Sequence, residues 1–177
     1  AALLNRVMGA NPSELLGQLN ASGRVFLINP NGVVVGEGAS INAMEFVASA
    51  LDVADHEFLS GGDLTFAGDS TASVVNLGEI TAANGDVILL AYRVANAGEI
   101  NAPAGVAGLA AGQEILLSFR DDQRIFVKAP VSGATTASPD GTGVENSGII
   151  AAAQAELKAA GDNLYELAVN QTGVVRA

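Results

Sequence analysis

The side chains able to do chemistry are few, and they gather in two acidic clusters. Asp52, Asp55, His56 and Glu57 form one, and Asp121 and Asp122, beside Arg120 and Arg124, form the other. Carboxylates paired on one face, with a cation to stabilise developing negative charge, are what polysaccharide cleavage requires. Asp52, His56 and Ser60 also supply the residue types of a hydroxyl-nucleophile triad, but no nucleophile elbow accompanies them. Plainer readings compete: an exposed loop for the first cluster, and a polar hairpin turn between two strands for the second. Asp63, Asp69 and Asp140-Gly141 fall at turns where calcium could be held, without an Asp-rich nonapeptide ladder. The absence of Cys excludes thiol catalysis, disulfides, iron–sulfur clusters and thiolate zinc sites, and a single His excludes His-based metal clusters. The expectation is no catalytic residue, no metal and no cofactor.

The elements that would carry these residues must be built from an unusual composition. Hydrophobic residues make up 49% of the 177, but aromatics only 5%, with no Trp. Ala, Val, Leu and Ile therefore supply the core, which suits thin, regularly layered packing. Against 8 basic residues stand 19 acidic ones, a net charge of −11, so neither nucleic acid nor an anionic membrane face is an expected partner. No stretch reaches the roughly 18 apolar residues of a membrane helix, and no membrane insertion is expected. The start, Ala1-Ala2-Leu3-Leu4-Asn5-Arg6, has neither a signal-peptide pattern nor an initiator Met, and the expectation is an internal piece of a longer polypeptide.

A repeat organises the chain. Asn76-Leu77-Gly78-Glu79-Ile80-Thr81-Ala82, Asn96-Ala97-Gly98-Glu99-Ile100-Asn101-Ala102, Asn146-Ser147-Gly148-Ile149-Ile150-Ala151-Ala152 and Gln171-Thr172-Gly173-Val174-Val175-Arg176-Ala177 share amide, Gly, aliphatic and Ala at fixed positions. Gly38 to Ala43 is a weaker copy. The Gly residues lie 20, 50 and 25 apart, and the interval of 50 reads as two turns of about 25. This is the chemistry of a parallel β-solenoid. Gly turns the corner with positive φ, and Ile80, Ile100, Ile150 and Val175 stack inward about 4.8 Å apart. The Asn side chains bond their own turns or ladder between coils. At about 22 residues per coil the chain would make roughly eight coils. Further strands are expected at 86–91, 106–110, 114–119 and 124–128.

Two segments break the rhythm. Asn11 to Leu19 reads as a short helical turn entered at Pro12, with Leu15, Leu16 and Leu19 on one side. Ala-rich 151–167 places Leu157, Ala160, Leu164 and Leu167 at helical spacing and predicts a helix or helix pair broken at Gly161-Asp162. An exposed loop is expected over 132–143, which is rich in Ser, Thr, Gly, Pro and Asp.

The most distinctive motif is Asn29-Pro30-Asn31-Gly32, flanked by the apolar runs Val25–Ile28 and Val33–Val35. Asn, Pro, Asn and Gly at successive positions form a strong turn code. The turn either simply connects two buried strands or displays a recognition handle on a rigid scaffold.

The block comprising Asn5, Arg6, Val7, Gly9, Asn11, Pro12, Ser13, Leu16 to Leu19, Gly23, Val25 to Val33, Gly36, Gly38 and Ala39 closely resembles the amino-terminal secretion domain of filamentous haemagglutinin-like exoproteins. These are passengers of the two-partner secretion pathway of Gram-negative bacteria. Val75 to Ile80 and Val94 to Ile100 also look like coils of that family. The resemblance is dense from about residue 5 to 112 and looser beyond, which suggests a secretion domain over 1–112 with its amino-terminal part missing. Residues 113–177 then read as continuing coils.

The resemblance implies an all-β fold, a right-handed parallel β-helix with short helical decorations. It implies recognition by the periplasmic domains of an outer-membrane partner transporter, then export to the cell surface or medium. It implies that Asn29, Pro30, Asn31 and Gly32 match the family's secretion-associated motif. The family's second motif, Asn-Pro-Asn-Leu, has no copy here. Receptors on host or neighbouring cells are further expected partners of the exported protein. Zero Cys also suits passage through a narrow pore, since no disulfide locks the chain beforehand. The reading is thus a non-enzymatic secretion and adhesion module, compatible with a scaffold that displays a distal toxin or adhesin. A β-helical carbohydrate-active enzyme or carbohydrate-binding domain is the alternative, favoured if acidic and basic residues line a cleft on one solenoid face.

Overall fold

The computed structural model describes residues 1–120, 122–129, 141–161 and 164–177. Its strands wind as a parallel β-helix with three faces visited in a fixed order. The first face stacks Ser13–Leu15, Val33–Val35, Ser73–Asn76, Arg93–Asn96, Thr142–Asn146 and Leu167–Gln171. The second stacks Gln18–Asn20, Ser40–Ala43, Glu79–Ala82, the start of Glu99–Ala111, the start of Ile149–Ala159, and Val174–Arg176. The third stacks Ala2–Arg6, Arg24–Ile28, Glu45–Ser49, Val87–Ala91 and the ends of the two long strands. Every pairing within these faces is parallel. Stacked in register, Ile41, Ile80, Ile100 and Ile150 are fully buried. The sheet runs across residue 112, because Glu99–Ala111 pairs with Ile149–Ala159.

The period differs from the expectation. One coil advances about 20 residues where it is undecorated, as from Val74 to Val94. The interval of 50 is a single coil, since Asn96 neighbours Asn146 directly. The longer steps carry excursions that leave the stack after Ser49 and after Ala111. Among the described residues the first face therefore holds six strands, and the roughly eight coils reckoned from length reduce accordingly.

The two excursions meet to form an outer sheet. Its order is Ile125–Val127, Glu114–Leu117, Leu64–Ala67, Asp52–Val53, all antiparallel. Strands expected at 114–119 and 124–128 thus exist, but as a hairpin outside the solenoid. This sheet covers the third face, which explains the unbroken apolar runs there. Val25, Leu27, Phe46, Val87 and Leu89 face the solenoid interior, while Phe26, Ile28, Val47, Ile88 and Leu90 face a second core with Leu51, Leu64, Phe66, Ile115, Leu117 and Ile125. A strand buried on both sides loses hydrophobic alternation.

Neither expected helical segment is helical where it is described, and Asp162 and Asn163, at the expected break, lie outside the described residues. Residues 11–19 form Ser13–Leu15 and Gln18–Asn20, with Leu15 and Leu19 packed on the core and Leu16 exposed. The Ala-rich segment is the strand Ile149–Ala159, whose Ala155, Leu157 and Ala159 pack inward. Pairing along the whole neighbouring strand outweighs the helix preference of Ala. Among the described residues the α-helix is Asp55–Ser60, in the first acidic cluster. Of the loop expected at 132–143, residues 132–140 lie outside the described residues, and Thr142 and Gly143 already belong to a strand.

The repeat glycines are required for a different reason than positive φ. Positive values occur at Gly32, Gly38, Gly61 and Gly141, none of them a glycine of the four main copies. A Cβ on Gly98, Gly148 or Gly173 would instead collide with the carbonyl of the glycine one coil before. The corner is stacked too closely for any side chain.

Candidate functional site: the Asn-Pro-Asn-Gly corner

Asn29 ends the strand Arg24–Ile28, and its N–H continues the ladder to the Ser49 carbonyl (2.9 Å). The chain then turns, with the Gly32 N–H donating to the Asn29 carbonyl at 2.9 Å and Gly32 at φ 105°. The Asn29 side chain is wholly buried and fully used. Its Nδ2 donates to the Asn11 carbonyl and to Ser13 Oγ, each at 2.9 Å. Its Oδ1 accepts from the Asn31 backbone N–H (2.9 Å) and from Asn31 Nδ2 (3.2 Å). That second amide also donates to the Gly9 carbonyl at 2.8 Å, while the Ser13 N–H donates to the Gly32 carbonyl at 3.0 Å. From the next coil, Ser70 Oγ donates to the Pro30 carbonyl at 2.5 Å. Gly32 is hemmed in, since a Cβ there would sit 2.8 Å from the Ser73 carbonyl oxygen. Pro30 and Asn31 remain exposed at the tip.

The structure thereby brings Asn11 and Ser13 to Asn29, with Pro12 exposed between them. Val7 donates its N–H to the Ile28 carbonyl (2.8 Å), and Asn5 lies exposed beside Leu27. Arg6 serves a separate contact, ion-paired with Asp52 and Asp55 at 2.8 Å each. Elsewhere the repeat asparagines form a buried ladder. Asn76 Nδ2 donates to Asn96 Oδ1 (2.8 Å), Asn96 Nδ2 to Asn146 Oδ1 (2.7 Å), and Asn146 Nδ2 to Gln171 Oε1 (2.7 Å). Gly78, Gly98 and Gly148 stack beside it, and Ile80, Ile100 and Ile150 stack inside it.

The first acidic cluster is engaged in structural contacts. Besides the two aspartates held by Arg6, Glu57 Oε2 accepts from the Thr65 N–H at 3.0 Å. Ser60 Oγ donates to the Glu57 carbonyl (2.7 Å), and His56 is exposed on the helix. Asp63 Oδ1 accepts from Ser118 Oγ (3.2 Å) and from the Phe119 N–H (3.3 Å), which ties the two excursions together. Arg120 and Asp122 are exposed, Arg124 pairs with Asp86 (3.1 Å), and Asp121 and Asp140 lie outside the described residues. Asp69 is exposed. Among the described residues no group of three or more His, Cys, Asp or Glu is placed to hold a metal ion.

Sequence reasoning missed the buried charges. Glu45, Asp86 and Glu156 lie on the third face or at its corner. Glu45 is stacked between Arg24 and Asp86, and burial, reinforced by the Asp86 charge, pushes its carboxyl up to about 7. Burial opposes the Glu156 charge, but bonds from Lys158 and from the Arg124 and Ile125 N–H groups outweigh it and hold its carboxyl below the usual range. The legible signal was alternation in Gln154-Ala155-Glu156-Leu157-Lys158, where charge replaces the outward apolar residues of earlier coils.

Comparison with known proteins agrees with this geometry. The family described as the TPS secretion domain matches residues 1–177. The heme/hemopexin-binding protein of Haemophilus influenzae is 33% identical over 172 residues, covering 90% of this chain and 18% of its own length. A second heme/hemopexin-binding protein of that species is 45% identical over 53 residues, 30% of this chain and 6% of its own. The crystal structure of the HMW1 secretion domain from Haemophilus influenzae aligns over 100% of this chain and 51% of its own, with TM-score 0.67 and 27% identity. The chain thus spans less than a fifth of the curated relatives. With its Asn-Pro-Asn-Gly corner set on a parallel β-helix, it belongs to the TPS, or two-partner secretion, domain family, the secretion module of large exoproteins.

Proposed function

We propose that this segment is what an outer-membrane partner transporter recognises in the periplasm, and that it acts without catalysis. The observation that carries the proposal is the division of labour within the corner. Asn29 and Gly32 are consumed by the fold, while Pro30 and Asn31 stand at an exposed tip whose backbone is fixed by two neighbouring coils. A rigid, exposed tip costs little ordering entropy when bound. Asn29 and Gly32 thus build the recognition element, and Pro30 and Asn31 present it. After recognition the protein passes to the cell surface or medium, its stacked coils forming successively as chain emerges. What the relatives' names say they bind, heme and hemopexin, is not proposed for this segment.

The test is export of the protein with its partner transporter, comparing wild type with Pro30→Ala plus Asn31→Ala. Protein in the medium and in the periplasm are quantified separately, alongside thermal unfolding of the purified variant. Loss from the medium with near-native unfolding is the expected result. Normal export would reduce the tip to an ordinary turn.

A further inference from the structure

The outer sheet has two edges, and at each the outward groups of one residue are taken by charged side chains rather than by another strand. At one edge lies Asp52–Val53, at the other Ile125–Val127. In the antiparallel pairing, Ser118 donates its N–H to the Arg124 carbonyl and Lys128 to the Glu114 carbonyl, so Ile125 and Val127 point their own N–H and carbonyl groups outward. Those of Ile125, at the start of the edge strand, are both taken. The Ile125 N–H donates to Glu156 Oε2 (3.0 Å), and its carbonyl accepts from Lys158 Nζ (2.5 Å) and Gln123 Nε2 (3.2 Å). Glu156 and Lys158 pair with each other at 2.8 Å, and Glu156 Oε1 takes the Arg124 N–H at 2.7 Å.

The opposite edge repeats the device with different residues. The Val53 carbonyl accepts from Arg6 Nη2 (2.7 Å), and the Val53 N–H donates to Asp52 Oδ1 (2.8 Å), which itself pairs with Arg6 Nε. At each edge one cation takes the outward carbonyl and one carboxylate takes the outward N–H, and the two are ion-paired with each other. The sequence places them systematically. Along the outward column of the third face, Ile28, Ser49, Leu90 and Ala110 lie between Arg6 at one end and Lys158 at the other. In the next column, Phe26, Val47, Ile88 and Gly108 lead to Glu156. The middle coils present apolar surface to the outer sheet, while the terminal coils place charge where the sheet ends.

We propose that Arg6–Asp52 and Glu156–Lys158 are plugs that stop a second copy of this chain from pairing, edge to edge, with the outer sheet. Unpaired N–H and carbonyl groups on a strand edge are a template for another strand. A second copy carries the same antiparallel edges and is the partner present wherever many copies are exported together. The plugs satisfy the outward groups of Ile125 and Val53 with side chains, so an incoming strand would have to displace an ion pair to bond at either residue. Burial keeps the Glu156–Lys158 pair in place, with the Glu156 side chain 5% exposed and Lys158 28%, while at the other edge Arg6 is anchored by three bonds at once, to Asp52, Asp55 and the Val53 carbonyl.

The test uses Lys158→Met plus Glu156→Leu for one edge and Arg6→Met plus Asp52→Ala for the other, with Lys158→Arg as a variant that keeps the donor. Sedimentation velocity over a wide concentration range reads self-association, circular dichroism reads folding, and hydrogen exchange reads the Ile125 and Val53 amides. Wild type and Lys158→Arg are expected to stay monomeric. The unplugged variants are expected to be folded and to associate with rising concentration, and the unplugged amide should exchange more slowly in the associated form. Folded monomers at every concentration would overturn the proposal, as would association that leaves those amides unprotected. Loss of folding at both edges would also overturn it, because the pairs would then be supports of the fold and not guards of its edges.

Discussion

Asn29 Nδ2 lies 2.9 Å from Ser13 Oγ, which joins two motif segments sixteen residues apart in one part-buried bond. The bond defines what each residue of the corner contributes. Removing the Asn29 amide strands the Asn11 carbonyl, Ser13 Oγ and the Asn31 N–H at once. Asn29→Ala should therefore lose on the order of 2–4 kcal/mol, since it removes three bonds at once, each worth about 1 kcal/mol. Asn31→Ala removes an exposed amide and should lose about 1 kcal/mol or less. Denaturant unfolding of the two purified variants checks the split; equal losses would mean that the corner is not anchored through Asn29.

The glycine stack makes a positional prediction. In the middle of the stack, a Cβ on Gly98 would lie 2.7 Å from the Leu77 carbonyl carbon and 2.8 Å from the Gly78 nitrogen. Those are backbone atoms and cannot swing aside. Gly17 occupies the same type of corner in the first coil, where nothing lies within 4 Å of an added Cβ. Gly98→Ala should cost about 3 kcal/mol or more, as overpacking that moves backbone does. Gly17→Ala should stay within about 0.5 kcal/mol, as neutral surface changes do. Comparable losses at both sites in thermal unfolding would show that conformation, not coil spacing, selects glycine.

The repeat was legible because its three signals sit on one seven-residue frame. Asn96, Gly98 and Ile100 each contact their equivalents one coil away, so a single pattern carries the amide ladder, the close corner and the inward stack. The excursions were less legible. Arg6 meets Asp52 across 46 residues, and nothing local in either cluster announces the partner. Helical spacing misled at Leu15, Leu16 and Leu19 because the same residues also alternate through two short strands with a turn between them. At 151–159 the composition favours a helix, yet the open edge of a long parallel strand offers hydrogen bonds along its whole length, and that non-local term decides. The unbroken run Val87–Ala91 marked a strand but not its second cover, which comes from residues on both sides of it in sequence.

Glu45 supplies a prediction in pH. Its side chain is buried beside Asp86, with Arg24 and Arg124 the nearest compensating charges, and its carboxyl stands at about 7 against an ordinary 4.5. An acid whose folded value is raised binds more protons folded than unfolded. Its stability contribution is therefore whole below the unfolded value and declines as pH rises from about 4.5 through about 7. Above that range the folded protein holds an ionised carboxylate next to Asp86, at a cost on the order of 2–3 kcal/mol. Glu45→Gln removes the charge and keeps the shape. The variant should match wild type near pH 4.5, gain on it as pH rises and be the more stable of the two near pH 8, by denaturant unfolding across that range. Parallel curves for the two proteins would mean that Glu45 is ionised at no cost, held by Arg24 and Arg124 more tightly than burial and Asp86 oppose it.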